Sequence, residues 1–202
     1  MRPMSTGLFM GVRTSYTDES QACAEAFLDA INRVLLDSGI APYSDPRNPP
    51  SVYMGHLFGR SELDHHSSRV LAKIAGVGVE SRQSTHLALI RDNPYRTAFL
   101  PLDFASPLLT DYRERIEGEP VQIWIGSLPC LLSELTMLAA NLGIPLKDGL
   151  LTDETARAIN DCDPLFDGDS KELAEDERTA WLALYEGARL GLKHNVALSL
   201  AG

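Results

Sequence analysis

The stretch PVQIWIGSLPCLLSELTMLAANLG, residues 120–143, joins a predicted strand directly to a predicted helix. The apolar run at 120–127 has the length and the β-branched and aromatic content of a strand. Ser127 is a typical N-cap residue, and Pro129 suits the first turn of a helix. Leucines then recur at spacings of three and four until Gly143, which predicts a helix with one buried face and a glycine stop. This unit points to a fold that mixes helices with a sheet.

Two elements are predicted at the start of the chain. A strand is expected within residues 7–16. A helix follows, because Asp18 and Gln21 have the spacing of a capping box and apolar residues then recur at helical intervals as far as Gly39. This helix has the clearest periodicity in the sequence.

The middle of the chain is less regular. Four prolines and two glycines predict a long loop at 41–60. A second helix is expected from Ser61, as N-cap, to Gly76. The stretches 85–92 and 97–104 are then predicted to be two strands of a hairpin.

The C-terminal part, 150–202, is predicted to be mostly helical. Its expected elements are a short helix (152–161), an acidic loop (161–169), a long helix (170–195) and a closing strand (196–200). The predicted fold class is therefore α/β (or α+β), with a mixed β-sheet of about five or six strands packed against about five helices. A chain of this length suits a single domain over 1–202.

The net charge limits the possible partners. The chain has 28 acidic and 18 basic residues, a formal net charge of −10, and a sequence pI of about 4.9. Such a surface repels phosphate groups and anionic lipids, so neither nucleic acid nor membrane is an expected partner. A protein with a basic surface is expected instead, because opposite charges accelerate encounter.

The cysteines and the N-terminus predict a cytoplasmic location. The three cysteines are widely spaced and form no metal or disulfide pattern. The first residues lack the apolar stretch of a secretory signal, and no run of the chain is long and apolar enough to span a membrane.

No metal and no cofactor are predicted. Asp64, His65 and His66 are adjacent in sequence, so on a helix they point about 100° apart and cannot converge on one ion; they are expected to form the polar start of the second helix. In the acidic loop, Leu165 and Phe166 occupy positions where a calcium-binding loop needs an acid and a glycine.

Three runs, YRTAFLPLDF (95–104), GSLPCLLSELTMLAANLGIPLKDGLL (126–151) and RTAWLALYEGARLGLKHNVALSL (178–200), are similar to small acidic bacterial toxin immunity proteins. The similarity is one of overall texture and carries no diagnostic motif. It implies a non-enzymatic inhibitor that blocks the active site of a partner protein, most simply a toxin.

The contacts expected for such a partner follow from the acid excess rather than from the resemblance. They lie in the acidic segments 161–169 and 172–177, and are Asp161, Asp163, Asp167, Asp169, Glu172, Glu175 and Asp176.

An enzyme is the alternative hypothesis. Gly126 and Ser127 form the turn between a strand and a helix, where free backbone N–H groups suit an anion. Cys130 lies in the first helical turn, where a thiolate is stabilised, and Glu134 lies one turn further on. These four residues would bind a nucleotide or phosphorylated small molecule.

Self-association is a third hypothesis. The long final helix and the stretch 196–200, interpreted as an edge strand, would pair across a homodimer.

Overall fold

The computed structural model describes residues 6–13, 21–46, 62–63, 76, 85–92, 96–116, 119–161 and 171–201. Within these ranges the elements with defined bounds are β1 (Thr6–Met10), α1 (Gln21–Asp37), β2 (Glu62–Leu63), α2 (Ala88–Asp92), β3 (Arg96–Leu100), β4 (Leu108–Ile116), β5 (Glu119–Ser127), α3 (Leu128–Ala139), α4 (Asp153–Asn160), α5 (Lys171–His194) and β6 (Leu198–Ala201). The predicted combination of a sheet with about five helices is confirmed.

The described strands form one mixed sheet in the order β2-β1-β6-β3-β5-β4. Strands β3 and β5 run parallel, with Phe99 opposite Gly126, and the other described neighbours are antiparallel. The last strand in sequence, β6, therefore lies inside the sheet, between β1 and β3.

Helices cover both faces of the sheet. Successive strand residues point to opposite faces, so a single strand contributes side chains to both buried clusters. Phe99 points to the face covered by α3, α4 and α5, where the larger cluster of buried apolar residues lies. Its neighbours Ala98 and Leu100 point to the other face, where they join buried residues of α1 such as Ile31. The result is a three-layer arrangement.

Trp181 fixes the position of α5 on α3. Its side chain is fully buried, and its ring stacks on Tyr185 with the ring centroids 4.7 Å apart. The indole N–H donates a 2.8 Å hydrogen bond to the carbonyl oxygen of Leu135. A buried indole needs such an acceptor, so this bond sets both the depth and the rotation of α5.

Several predicted elements are confirmed. Ser127 is the N-cap of α3, and its hydroxyl accepts a 3.3 Å hydrogen bond from the N–H of Cys130. Gly143 has a φ of 66°, as expected for a residue that ends a helix. Thr152 caps α4, and the predicted long C-terminal helix is α5.

Two predictions are wrong, and one strand was missed. The stretch 85–92 is a turn followed by the short helix α2, so it forms no hairpin with β3. Glu62 and Leu63 pair with β1 as strand β2, where a second helix was expected to begin. Strand β4 (Leu108–Ile116) was not predicted at all, although it is the edge strand beside β5.

The remainder of the predicted second helix, including Asp64, His65 and His66, lies outside the described residues, except that Gly76 is helical. The predicted loop is described only over 41–46, which contain neither helix nor strand. Within the described part of the chain, none of the helices is long and apolar enough to cross a membrane.

Candidate protein interface

The acid excess of the chain is concentrated in one segment. Between Lys147 and Arg178, residues 148–177 contain eleven acidic and two basic residues, a formal charge of −9. The remaining 172 residues contain seventeen acidic and sixteen basic residues, a charge of −1. We call residues 148–177 the acidic segment. It carries nearly the whole net charge, so the net charge is concentrated in this part of the sequence.

Helix α4 presents the described part of this charge. Asp153 and Glu154, in its first turn, and Asp161, at its C-terminal cap, are all exposed. The two first-turn acids are stabilised there by the positive end of the helix dipole. The Thr152 hydroxyl accepts a 3.1 Å hydrogen bond from the N–H of Thr155, which fixes the start of the helix.

The start of α5 adds a second group of acids. Glu175 and Asp176 follow Glu172 by three and four residues. These spacings put the three backbone positions on one side of the helix. The other predicted contacts, Asp163, Asp167 and Asp169, lie outside the described residues. The structure thus places four of the seven predicted contacts on α4 and α5, which pack against each other.

Both helices are anchored to the core. On α4, Ala156 and Ile159 are buried in the larger core cluster, together with Ala180 of α5. The guanidinium Nε of Arg178 donates a 3.0 Å hydrogen bond to the carbonyl oxygen of Leu142, in the turn after α3. Thus α4 is held by its buried residues in the core cluster and by its packing on α5, which in turn packs on α3.

A tight turn opens the acidic segment. Lys147 and Leu150 exchange backbone hydrogen bonds of 2.9 and 3.0 Å. The two residues between them, Asp148 and Gly149, both have positive φ, 53° and 77°. Positive φ at both central positions is the requirement of a type I′ hairpin turn, and Asp-Gly is a favoured sequence for it.

The four residues of the alternative ligand site lie together, but their polar groups bond within the protein. A Cβ atom at Gly126 would lie 2.3 Å from Cδ1 of Phe99, so glycine is required there for close packing of β3 on β5. Ser127 is fully buried; its hydroxyl caps α3, and its N–H donates to Nδ1 of His86 at 2.9 Å.

Glu134 holds the turn before α2. Its carboxylate accepts hydrogen bonds from the backbone N–H groups of Thr85, His86 and Leu87 at 2.8, 3.0 and 2.6 Å. These three N–H groups precede α2, and the Glu134 carboxylate on α3 is their acceptor. This buried carboxylate favours a turn, and not an extended strand, at residues 85–87.

His86 is the member of this cluster that the sequence did not reveal. Burial lowers its pKa below the ordinary value, while nearby Glu134 and Asp103 act in the opposite direction. Its only sequence signal was a lone histidine within an apolar stretch that was interpreted as a strand.

Cys130 is partly buried, with Sγ 3.5 Å from the carbonyl oxygen of Phe104. Among the described residues, no three His, Cys, Asp or Glu side chains converge as metal ligands would.

The chain is an acidic protein whose net charge is concentrated in one segment of the sequence, and the described part of that segment includes α4 and the start of α5. The sequence profile of one protein family, described as "Putative DNA-mimic protein", matches residues 59–200. The chain belongs to this family. No curated protein and no solved structure is significantly similar to it.

The family membership corrects the predicted partner. The expectation of a toxin partner is wrong, because the family is named for the imitation of DNA, which is directed at proteins that bind DNA. The homodimer hypothesis depended in part on 196–200 being an edge strand. Strand β6 instead has β1 on one side and β3 on the other, so both of its edges are already paired.

Proposed function

We propose that the chain binds the DNA-contacting surface of a DNA-binding protein through the acidic segment. By occupying that surface, it would exclude DNA and inhibit the partner without catalysis. The observation that carries this proposal is the concentration of −9 of the −10 net charges within residues 148–177 of a chain that belongs to a DNA-mimic family.

The charge density at the start of α5 supports the proposal. Residues 172–177 contain four acidic residues, Glu172, Glu175, Asp176 and Glu177. Six residues of α-helix extend about 9 Å, so there is roughly one negative charge per 2 Å of axis. Duplex DNA carries one per about 1.7 Å. A partner that binds phosphates with lysine and arginine would encounter a comparable density here.

Other features fit the same role. Asp153 and Glu154 lie on α4, which is anchored by the buried Ile159, so little conformational entropy is lost when a partner orders this helix. A cytoplasmic location, proposed from the cysteine pattern, would place the chain where DNA-binding proteins act; Cys23 and Cys130 are both free thiols.

Competition with DNA tests the proposal. Proteins of the native host that bind immobilised duplex DNA are eluted with the purified chain, and each released protein is identified by mass spectrometry. Its binding to a fluorescent duplex is then measured by anisotropy as the chain is added. We expect displacement of the duplex by a one-to-one complex that weakens as salt concentration rises.

A pair of matched variants identifies the surface. In one, Asp161, Asp163, Asp167 and Asp169 are changed to Asn. In the other, four exposed aspartates outside the acidic segment, Asp29, Asp37, Asp103 and Asp111, are changed to Asn. Both variants lose four negative charges. We expect the first to bind the partner at least about tenfold more weakly and the second to resemble the wild type. Release of no host protein, or equal weakening in both variants, contradicts the proposal.

A further inference from the structure

The turn at the start of the acidic segment exposes a leucine. Leu150 is 64% exposed, more than any other exposed large apolar side chain among the described residues. It directly follows Asp148 and Gly149, and Asp153 and Glu154 lie three and four residues beyond it. An exposed apolar side chain thus lies between the exposed acids Asp148, Asp153 and Glu154, with Lys147 at the other end of the turn.

Backbone hydrogen bonds hold Leu150 in its exposed position, so its exposure does not come from an unconstrained segment of the chain. Its N–H and C=O are both bonded to Lys147. On one side of the turn, Ile144 is buried and its N–H donates a 2.8 Å hydrogen bond to the carbonyl oxygen of Ala139. On the other side, Leu151 packs against the larger core cluster and Thr152 caps α4.

The turn also holds a non-glycine residue in an unfavourable conformation. Asp148 has a φ of 53°, a region that costs most L-residues roughly 1 kcal/mol or more. Asp is among the few residues that tolerate it, and the type I′ geometry requires it. A rigid turn therefore directs Leu151 into the core and Leu150 into the solvent.

Duplex DNA has no side chain of this kind along its phosphate backbone. We propose that Leu150 is an apolar anchor at the rim of the acidic segment, which inserts into an apolar depression next to the basic DNA-contacting surface of the partner. This inference rests on the proposed function and extends it: the acids supply a salt-dependent attraction, and Leu150 supplies a contact that salt does not screen.

A rigid anchor is favourable for binding, since the side chain is already fixed in position before the complex forms. It also gives selectivity, because the many proteins with a basic DNA-contacting surface do not all have an apolar depression beside it. The chain would then bind a subset of the proteins that bind DNA.

The dependence of affinity on salt separates the two contributions. The probe is the host protein released from immobilised DNA, and its Kd for the full chain is measured at several salt concentrations. We expect Leu150→Ala to weaken binding by about tenfold at every salt concentration, with an unchanged slope of log Kd against log salt. We expect neutralisation of Asp161, Asp163, Asp167 and Asp169 to reduce that slope.

Leu36→Ala is the matched control. Leu36 is 60% exposed, but it lies on α1, outside the acidic segment. We expect this variant to bind like the wild type, with both leucine variants melting within a few degrees of it. If Leu150→Ala binds as Leu36→Ala does while neutralisation of the acids weakens binding, the anchor is disproved and the proposed function stands. If no host protein is released from DNA, or if the acids do not matter, the proposed function fails and the anchor fails with it.

Discussion

The imidazole of His86 accepts, at Nδ1, a 2.9 Å hydrogen bond from the backbone N–H of Ser127. The bond joins the turn before α2 to the end of β5, and it requires an unprotonated Nδ1. The other ring nitrogen lies 3.3 Å from the carbonyl oxygen of Ala105, so in the neutral ring it is Nε2 that carries the proton. One neutral tautomer therefore satisfies both contacts.

This bond predicts a pH dependence of stability. Burial lowers the pKa of His86 in the folded protein below the unfolded value of about 6.5. The stabilising contribution is complete above pH 6.5. As the pH falls below that value, it is lost progressively until the pH reaches the lowered folded pKa, because the unfolded state binds the proton more readily.

Urea unfolding between pH 7.5 and pH 5 tests this prediction. His86→Asn keeps an acceptor for the Ser127 N–H but has no titrating ring. We expect the free energy of unfolding to fall less steeply with decreasing pH in this variant than in the wild type. Parallel curves would show that His86 does not titrate as expected.

Glu134→Ala is expected to destabilise the protein by about 3 kcal/mol. The substitution leaves the N–H groups of Thr85, His86 and Leu87 without their acceptor in a largely buried turn. Ser133→Ala, at an exposed position of the same helix, should change stability by less than about 0.5 kcal/mol. Urea unfolding compares the two. If the Glu134→Ala and Ser133→Ala variants are equally stable, Glu134 does not stabilise the turn before α2.

Gly126→Ala is expected to destabilise the protein by about 1–3 kcal/mol. The added methyl group would lie 2.3 Å from a ring carbon of Phe99, which is fully buried and has little room to move. Gly76→Ala is the control, since a Cβ there meets no atom of the described residues within 4 Å. Thermal unfolding should show a lower Tm for the first variant alone. A normal Tm for Gly126→Ala would mean that β3 and β5 separate more easily than their packing suggests.

Tyr43→Phe is expected to cost about 1–3 kcal/mol. The Tyr43 hydroxyl donates to Asp45 at 2.6 Å and accepts from the Ala197 N–H at 2.8 Å, which ties the loop after α1 to the segment that enters β6. Combination with Asp45→Ala should give a double variant more stable than the sum of the single effects predicts, since both substitutions remove one shared hydrogen bond. Strict additivity of the unfolding free energies would contradict the pairing.

The sequence predicted those elements whose signals are local. Ser127 and Gly143 act through a cap and a backbone conformation that depend on a few neighbouring residues. The long periodic stretches of α1, α3 and α5 likewise need no information from distant parts of the chain. The acidic contacts on α4 and α5 remain a prediction, although the localisation of charge supports them.

The errors arose where a distant residue decides the structure. The stretch 85–92 looks like a strand, but Glu134, more than forty residues away in sequence, supplies acceptors that favour a helical turn. Strand β4 has charged residues within it, and its pairing with β5 becomes evident only in the sheet. The interior place of β6 has the same origin, because strand order depends on contacts across the whole chain.

The position of β6 within the sheet also determines the order in which the parts of the sheet can join during folding. Strands β1 and β2 form one part of the sheet and β3, β5 and β4 form the other, and β6 is the strand that joins the two parts. During synthesis on the ribosome, these parts cannot be united until residues 198–201 have emerged, after the acidic segment has already been made. The nascent chain must therefore keep two unpaired strand edges, those of β1 and β3, from aggregating until its last strand arrives.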